Sequence, residues 1–302
     1  MTAQEHATSL SVVVVTRERS VGCRRLCAAL DSQLTDRHDI AAEVVIVFDG
    51  CEAYPWTLQE GRYRVVHLPV RHGIAKARNI GIGHARGDMV AFLDDDAVPA
   101  PGWVDSLLAA FTGRPQPIAV GGRVIGSDQE NLYAQLRDQV YYLETFGPWY
   151  VDPGVGGDLA GPPYVNGGNS VYLRRELLAV GGFDELLPAY SDVELGRRLR
   201  LHDRGVLLAG LTIYHDHPSS FREYMRRCYR SGRARGLLWS RRGYRQDAPG
   251  RVARTTAANL LWNNIVHRAR RIRQGWVRTV MVLSCQEVVH AYGYALALVS
   301  TR

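Results

Sequence analysis

The sequence predicts an α/β protein, a mostly parallel sheet with helices on both faces, followed by an Arg-rich helical extension. Three observations carry that reading. Apolar, β-branched runs alternate with segments of helical spacing, the pattern of strand–helix–strand units. One of those runs, Met89-Val90-Ala91-Phe92-Leu93, ends abruptly in Asp94, Asp95 and Asp96. Beyond Pro218 the composition changes to arginine-rich segments of helical spacing.

Each element has a local reason. Leu10–Val15 is an unbroken run suited to a buried parallel strand. Val21–Leu34 places Val21, Leu26, Ala29 and Leu30 at helical spacing. Glu43–Phe48 is a second strand, closed by the turn signal Asp49-Gly50, and Tyr63–Leu68 a third. Ile74–Ala85 is helical, Met89–Leu93 is the fourth strand, and Trp103–Phe111 is a short helix after Pro99-Ala100-Pro101. Ile118–Val124 and Ser170–Leu173 are strands, separated by a Gly- and Pro-rich loop from Phe146 to Gly168. Glu176–Val180 is a short helix stopped by Gly181-Gly182, and Ser191–Arg204 a longer one ending at Gly205. Val206–Ala209 and Leu211–Tyr214 read as two strands, and Phe221–Leu238 and Val277–Val299 as helices.

With 302 residues, 46% hydrophobic and 22% charged, the chain has the length for one large domain plus an appendage. The expected division is a domain over 8–218 and an extension over 219–302. The net charge of +7 conceals an asymmetry. Pro218–Arg302 holds 17 arginines against Glu223, Asp247 and Glu287, a net of +14, so the rest of the chain carries −7. A polyanionic or membrane partner suits such a tail. The five cysteines form no CxxC pair and Met1–Ser9 has no apolar core, so a reduced, cytoplasmic setting without a signal peptide is expected. Val277–Val299 is long enough to span a bilayer. Gln286, Glu287 and His290 lie at its middle, where one charge costs about 2.5–3.5 kcal/mol, so spanning is rejected. An interfacial helix, a homodimer contact and a helix packed on its own domain remain open.

Adjacent carboxylates at a strand end repel one another, and a divalent cation with hard oxygen ligands, Mg²⁺ or Mn²⁺, compensates them. The carboxyl edge of an open α/β sheet is where such folds bind ligands. Gly81-Ile82-Gly83-His84-Ala85-Arg86-Gly87 is a decoy for a dinucleotide fingerprint, because it follows a helix and precedes a strand. The absence of GxxxxGK[ST], GxSxG and HExxH weighs against a P-loop NTPase, an α/β-hydrolase and a zincin.

An ordered set of stretches resembles glycosyltransferase family 2, the inverting enzymes with the GT-A fold. It runs from Ser11-Val-Val-Val-Val-Thr16 through Glu43-Val-Val-Ile-Val-Phe-Asp49-Gly50 and Gly73-Ile-Ala-Lys-Ala-Arg78-Asn79-Ile-Gly81 to Gly87-Asp-Met-Val-Ala-Phe-Leu-Asp94-Asp95-Asp96. Asn166-Gly-Gly-Asn169-Ser, Gly181-Gly-Phe-Asp184-Glu and Ser191-Asp192-Val-Glu194-Leu follow. The resemblance covers roughly Leu10 to Pro218. It implies transfer of a sugar from a nucleotide-diphosphate donor, UDP- or dTDP-linked, to an acceptor hydroxyl on a lipid-linked or small molecule. Thr16, Glu18, Asp49, Arg78, Asn79, Asp94, Asp95 and Asn169 would line the nucleotide-sugar site. Asp96 and His215, or alternatively His217, would hold Mn²⁺ or Mg²⁺. Asp192 would be the general base. Two departures stand out: Phe48 replaces the first of two acids common before Gly50, and Ser191 replaces the Glu of a Glu-Asp pair. A sugar-phosphate nucleotidyltransferase is the rival enzyme, but Thr16-Arg-Glu-Arg-Ser20 lacks the glycines its loop carries. A basic nucleic-acid- or membrane-surface-binding protein on a degenerate transferase fold is the non-enzymatic rival; nucleic acid is not expected, since the tail has no recognisable motif for it.

Overall fold

In a computed structural model the chain is described at residues 8–17, 20–51, 61–112, 116–146, 164–199, 206–240, 265, 269–270, 272 and 275–300. In chain order the elements are β1 (Thr8–Thr16), α1 (Ser20–Leu34), β2 (Ile40–Asp49), β3 (Tyr63–Leu68), α2 (Ile74–His84), β4 (Met89–Asp94), β5 (Ala97–Pro99) and α3 (Trp103–Thr112). They continue as β6 (Ala119–Gly126), α4 (Leu132–Phe146), β7 (Asn169–Leu173), α5 (Arg174–Ala179), α6 (Ser191–Leu199), β8 (Val206–His215), α7 (Phe221–Ser240) and α8 (Trp276–Ser300).

The chain divides into two compact units: Met1–Ile125 with Leu159–His215, and Gly126–Asp158 with Asp216–Arg302. Relative to a boundary at 218, the first unit ends at His215 and the stretch 126–158 joins the second.

In the first unit the strands form one sheet in the order β3-β2-β1-β4-β7-β6-β8-β5. The β3-β2-β1-β4 half is parallel, as the alternating pattern predicts. Its strands are continuous buried runs, Val12–Val14, Val44–Phe48 and Val90–Leu93, because helices cover both faces. The other half is not parallel: β7 runs antiparallel to both β4 and β6, and β5 antiparallel to β8. Strand direction leaves no mark in a short apolar run, so the sequence is silent on it. The chain winds from β1 outward to β2 and β3, then crosses back to lay β4 on the other side of β1. The carboxyl ends of β1 and β4 therefore flank a topological switch point. Gly81 falls inside α2, where a Cβ would lie 2.3 Å from Val13, so it serves helix–strand packing.

Two local readings change. The expected strands at 206–209 and 211–214 are one strand, β8, because Gly210 does not interrupt pairing. β5 was not expected, being three residues long and ending in Pro99. It pairs Ala97 with His215, Val98 with Tyr214 and Pro99 with Ile213.

The second unit is helical. α4, to which the sequence reading assigned nothing, is capped by Asn131, whose Oδ1 accepts the N–H groups of Tyr133 and Ala134 at 2.9 and 3.3 Å. Leu132 and Leu136 of α4 join Tyr224, Cys228, Val282 and Leu283 in one core. α7 and α8 run side by side in the same direction. Gly232 lies under the His290 carbonyl and Gly236 under that of Tyr294, where a Cβ would come within 2.0 and 2.6 Å of oxygen. Only glycine allows that approach. Among the described residues, α8 is the one helix long and apolar enough to cross a membrane by length and composition. The expected break at Asp247–Gly250 lies outside the described residues.

Candidate active site

The antiparallel pairing of β5 with β8 builds the centre of the site. After β4 the chain turns through Asp95 and Asp96 into β5, and the pairing sets His215 opposite Ala97. His215 Nε2 therefore lies 3.0 Å from Asp96 Oδ1 and 3.4 Å from Asp94 Oδ2. Asp96 and His215 are buried, and Asp94 is partly open to solvent. One ligand atom from each of the three residues lies within 4.8 Å of the others. Two carboxylate oxygens and an imidazole nitrogen form a donor set that fits Mg²⁺ or Mn²⁺. His217, the alternative ligand, is elsewhere: its Nε2 is 3.0 Å from Asp138 Oδ1 in the helical unit, and Asp138 also accepts the Gly126 N–H and the Gln129 amide.

The neighbouring acid has a different task. Asp95 Oδ2 accepts the Thr16 hydroxyl at 2.8 Å, which ties the end of β1 to the turn after β4 across the switch point. At the end of β2, buried Asp49 accepts the backbone N–H groups of His72 and Gly73 at 2.6 and 2.9 Å. Its carboxylate thus fixes the entry to α2. Glu18 lies outside the described residues.

α2 contributes Arg78, which is buried. Its Nη2 donates to Asp94 Oδ1 at 3.1 Å and to the Gly167 carbonyl at 2.7 Å. The guanidinium carbon sits 5.8 Å from the Phe92 ring centre and 5.5 Å from that of Phe183, a cation beside an edge-to-face ring pair. Asn79, expected with it at the nucleotide, is turned to other work. It donates to the Phe183 carbonyl and Glu185 and accepts the Phe183 N–H at 2.8 Å, holding the loop that carries Phe183. Arg198 holds the same loop from α6 through the carbonyls of Val180 and Gly182, while forked on Glu194.

Asp192 opens α6. The preceding Tyr190 has φ of 61°, a left-handed conformation costly for a non-glycine residue. Asp192 Oδ2 accepts the Gly167 N–H at 2.9 Å and Oδ1 the Val193 N–H at 2.9 Å. Burial raises its pKa above the ordinary carboxylate range, opposed by the Gly167 N–H, the Arg78 charge and the Val193 N–H. Glu194 and Asp184, the other acids nearby in sequence, are engaged by Arg198 and by the Leu186 N–H.

Asn169, expected in the sugar pocket, makes its contacts within the protein. It is fully buried. Its Oδ1 accepts the Trp103 indole N–H, and its Nδ2 donates to the carbonyls of Arg123 and Leu211. The amide thus joins α3, β6, β7 and β8.

Sequence reasoning missed the part played by Gly167 and Gly168. Gly167 touches both Arg78 and Asp192, and a Cβ on it would fall 2.4 Å from Arg78 Nη1. A Cβ on Gly168 would fall 2.4 Å from Asp94 Oδ2. This glycine pair lies between the cation-binding set and the candidate base, and a side chain there would displace the Arg78 or Asp94 side chain. Its signal was the Gly-Gly step inside Asn166–Ser170.

Comparison with known proteins agrees with this geometry. Residues 11–173, more than half of the chain, match the glycosyl transferase family 2 model. The pre-mycofactocin glycosyltransferase of Mycobacterium tuberculosis (strain CDC 1551 / Oshkosh) is 29% identical over 231 residues, covering 72% of this chain and 45% of that protein. The validoxylamine A glucosyltransferase of Streptomyces hygroscopicus subsp. jinggangensis is 28% identical over 229 residues, covering 66% of this chain and 53% of that protein. The chain thus spans about half the length of these relatives. Among solved structures, the mannosyltransferase PcManGT from Pyrobaculum calidifontis, in complex with GDP-Man and Mn²⁺, superposes with a TM-score of 0.53 at 16% identity, covering 98% of this chain and 80% of that one. That likeness shows a GT-A-like fold. With the motif order, the sheet and the family match in agreement, the chain belongs to glycosyl transferase family 2.

Proposed function

We propose that the chain is a metal-dependent, inverting glycosyltransferase that moves a sugar from a nucleotide-diphosphate donor to an acceptor hydroxyl, with Asp192 as general base. The observation that carries this reading is the meeting, around Gly167-Gly168, of a cation-binding set and a carboxylate with raised proton affinity. Asp94, Asp96 and His215 would hold Mn²⁺ or Mg²⁺, which when bound neutralises charge on the diphosphate.

The remaining chemistry belongs to the side chains. Thr16 and Asp95, which are hydrogen-bonded at the switch point, would hold the ribose or donor sugar, and Asp49 the base. Arg78 offsets the negative charge of Asp94 and opposes the upward shift of the Asp192 pKa. Asp192 takes the acceptor's proton as the acceptor oxygen attacks the anomeric carbon; the bond to the diphosphate breaks and the configuration inverts. A raised pKa makes Asp192 a stronger base than an ordinary carboxylate. We place the enzyme in a cytoplasmic setting, a reading supported by five cysteines that form no CxxC pair and no disulfide among the described residues.

The testing experiment is hydrolysis of a panel of UDP-, dTDP- and GDP-linked sugars with and without Mn²⁺. GDP-Man joins the expected UDP and dTDP donors because PcManGT is recorded with it. Calorimetry of Mn²⁺ with the cleaved nucleoside diphosphate is repeated on Asp96→Ala. Metal-stimulated hydrolysis and loss of metal-dependent nucleotide affinity in the variant are expected. Equal affinity in both proteins removes Asp96 from the site, and hydrolysis of none of the donors overturns the reading.

A further inference from the structure

α8 is not an ordinary amphipathic helix, because both of its faces are largely apolar. One face is covered. Val282, Leu283 and Val289 pack into the helical core, the backbone around His290 and Tyr294 lies on α7, and the Tyr224 hydroxyl bonds Gln286. Burial pushes the His290 pKa down to about 4, helped by Arg235, so this face holds a neutral imidazole. The opposite face is bare. Val277 is 66% exposed, Met281 64%, Val288 70%, Tyr292 61% and Val299 73%. Cys285, Ala291, Ala295 and Leu296 are exposed between them. No acid lies among these exposed positions, and Arg278 is their single charge. A continuous apolar face of this length on a soluble surface marks an interaction site.

Charge selects the occupant. Beside α8, α7 exposes Arg222, Arg226, Arg230 and Arg233 at helical spacing, with Glu223 as its exposed acid. The segment from Pro218 carries +14. A second copy would bring two strongly positive segments together, whereas an anionic surface attracts them. Spanning is also disfavoured, because the covered face of α8 is bound to a helix studded with exposed arginines that cannot enter hydrocarbon. We infer that α8 lies in the headgroup region of an anionic membrane, with Val277, Met281, Val288, Tyr292 and Val299 inserted and the arginines of α7 against lipid phosphates. This attachment does not depend on the proposed transfer reaction.

Flotation of the full chain with vesicles of phosphatidylcholine alone, or mixed equally with phosphatidylglycerol, tests it at low and high salt. An environment-sensitive fluorophore on exposed Cys285, in a Cys51→Ser background, reports insertion. The expected result is flotation with anionic vesicles only, weakened at least about tenfold by high salt, with a blue shift of the fluorophore. Val288→Glu with Tyr292→Glu should abolish both signals while donor hydrolysis is unchanged, which separates this inference from the catalytic one. Failure to float with anionic vesicles at low salt overturns it. So does flotation without a blue shift, which would leave binding to the arginines alone. A concentration-dependent dimer by light scattering, lost in the double variant and without vesicle binding, would assign the face to a second copy and overturn it as well.

Discussion

Two charges, half-buried Asp192 and buried Arg78, meet at the Gly167 peptide: the acid accepts its N–H and the guanidinium donates to its carbonyl. This arrangement sets a pH dependence with a definite sign. The pKa of Asp192 is raised by burial, so the folded protein holds that proton to a higher pH than an unfolded chain would. A base must be ionised to act, so kcat/KM should fall as pH drops through this raised value, above the ordinary range near 3.9. Arg78 opposes the shift, so Arg78→Met should move the acid limb to higher pH and Arg78→Lys should move it less. A limb unmoved in Arg78→Met would show that the cation does not act on the base. Asp192→Asn should keep nucleotide affinity and lose transfer by at least about a hundredfold. If transfer stays within a few-fold of wild type, Asp192 is not the base.

Elements and their joints control how well these residues meet. At the Gly167-Gly168 step an added methyl group meets side-chain ends, and Gly168→Ala would press on the Asp94 carboxylate that Arg78 and His215 also touch. Mn²⁺ affinity in that variant, measured by electron paramagnetic resonance, should fall roughly tenfold, the lower range for disturbing the groups that orient a metal ligand. Unchanged affinity would separate Asp94 from the metal. In the helical unit, Asn131→Ala removes the acceptor for two N–H groups at the start of α4 and should cost about 1 kcal/mol in urea unfolding. The sequence reading assigned nothing to this helix, although Asn131 precedes Leu132 and Leu136 at helical spacing. The direction of β7 was not legible, because Ser170–Leu173 is buried on both faces and reads alike in either sense.

At the scale of the whole molecule, ligand binding to the folded state alone should appear as added stability. Mn²⁺ with a nucleoside diphosphate at about a hundred times its dissociation constant should add about 2.7 kcal/mol and raise the Tm, an effect that His215→Ala should abolish. Retention of the full shift in His215→Ala would remove the histidine from the cation set and return attention to His217, despite its contact with Asp138.

The sequence by itself determined the parallel half of the sheet, the carboxylates at the end of β4, the order of motifs that marks the family, and the basic tail. These are legible because burial on both faces demands unbroken apolar runs, and clustered like charges demand a counter-charge. Tertiary structure decided the partners. Whether His215 or His217 joined the carboxylates rested on the three-residue pairing of β5 with β8, too short to leave a pattern. Asn79 and Asn169 carry motif positions expected at the ligand, yet their amides hold a loop and a strand junction. Likewise, α8 reads as uniformly apolar in sequence, and only its packing on α7 separates a covered face from a bare one. In each case the deciding contact joins residues far apart in the chain, and local spacing carries no record of it.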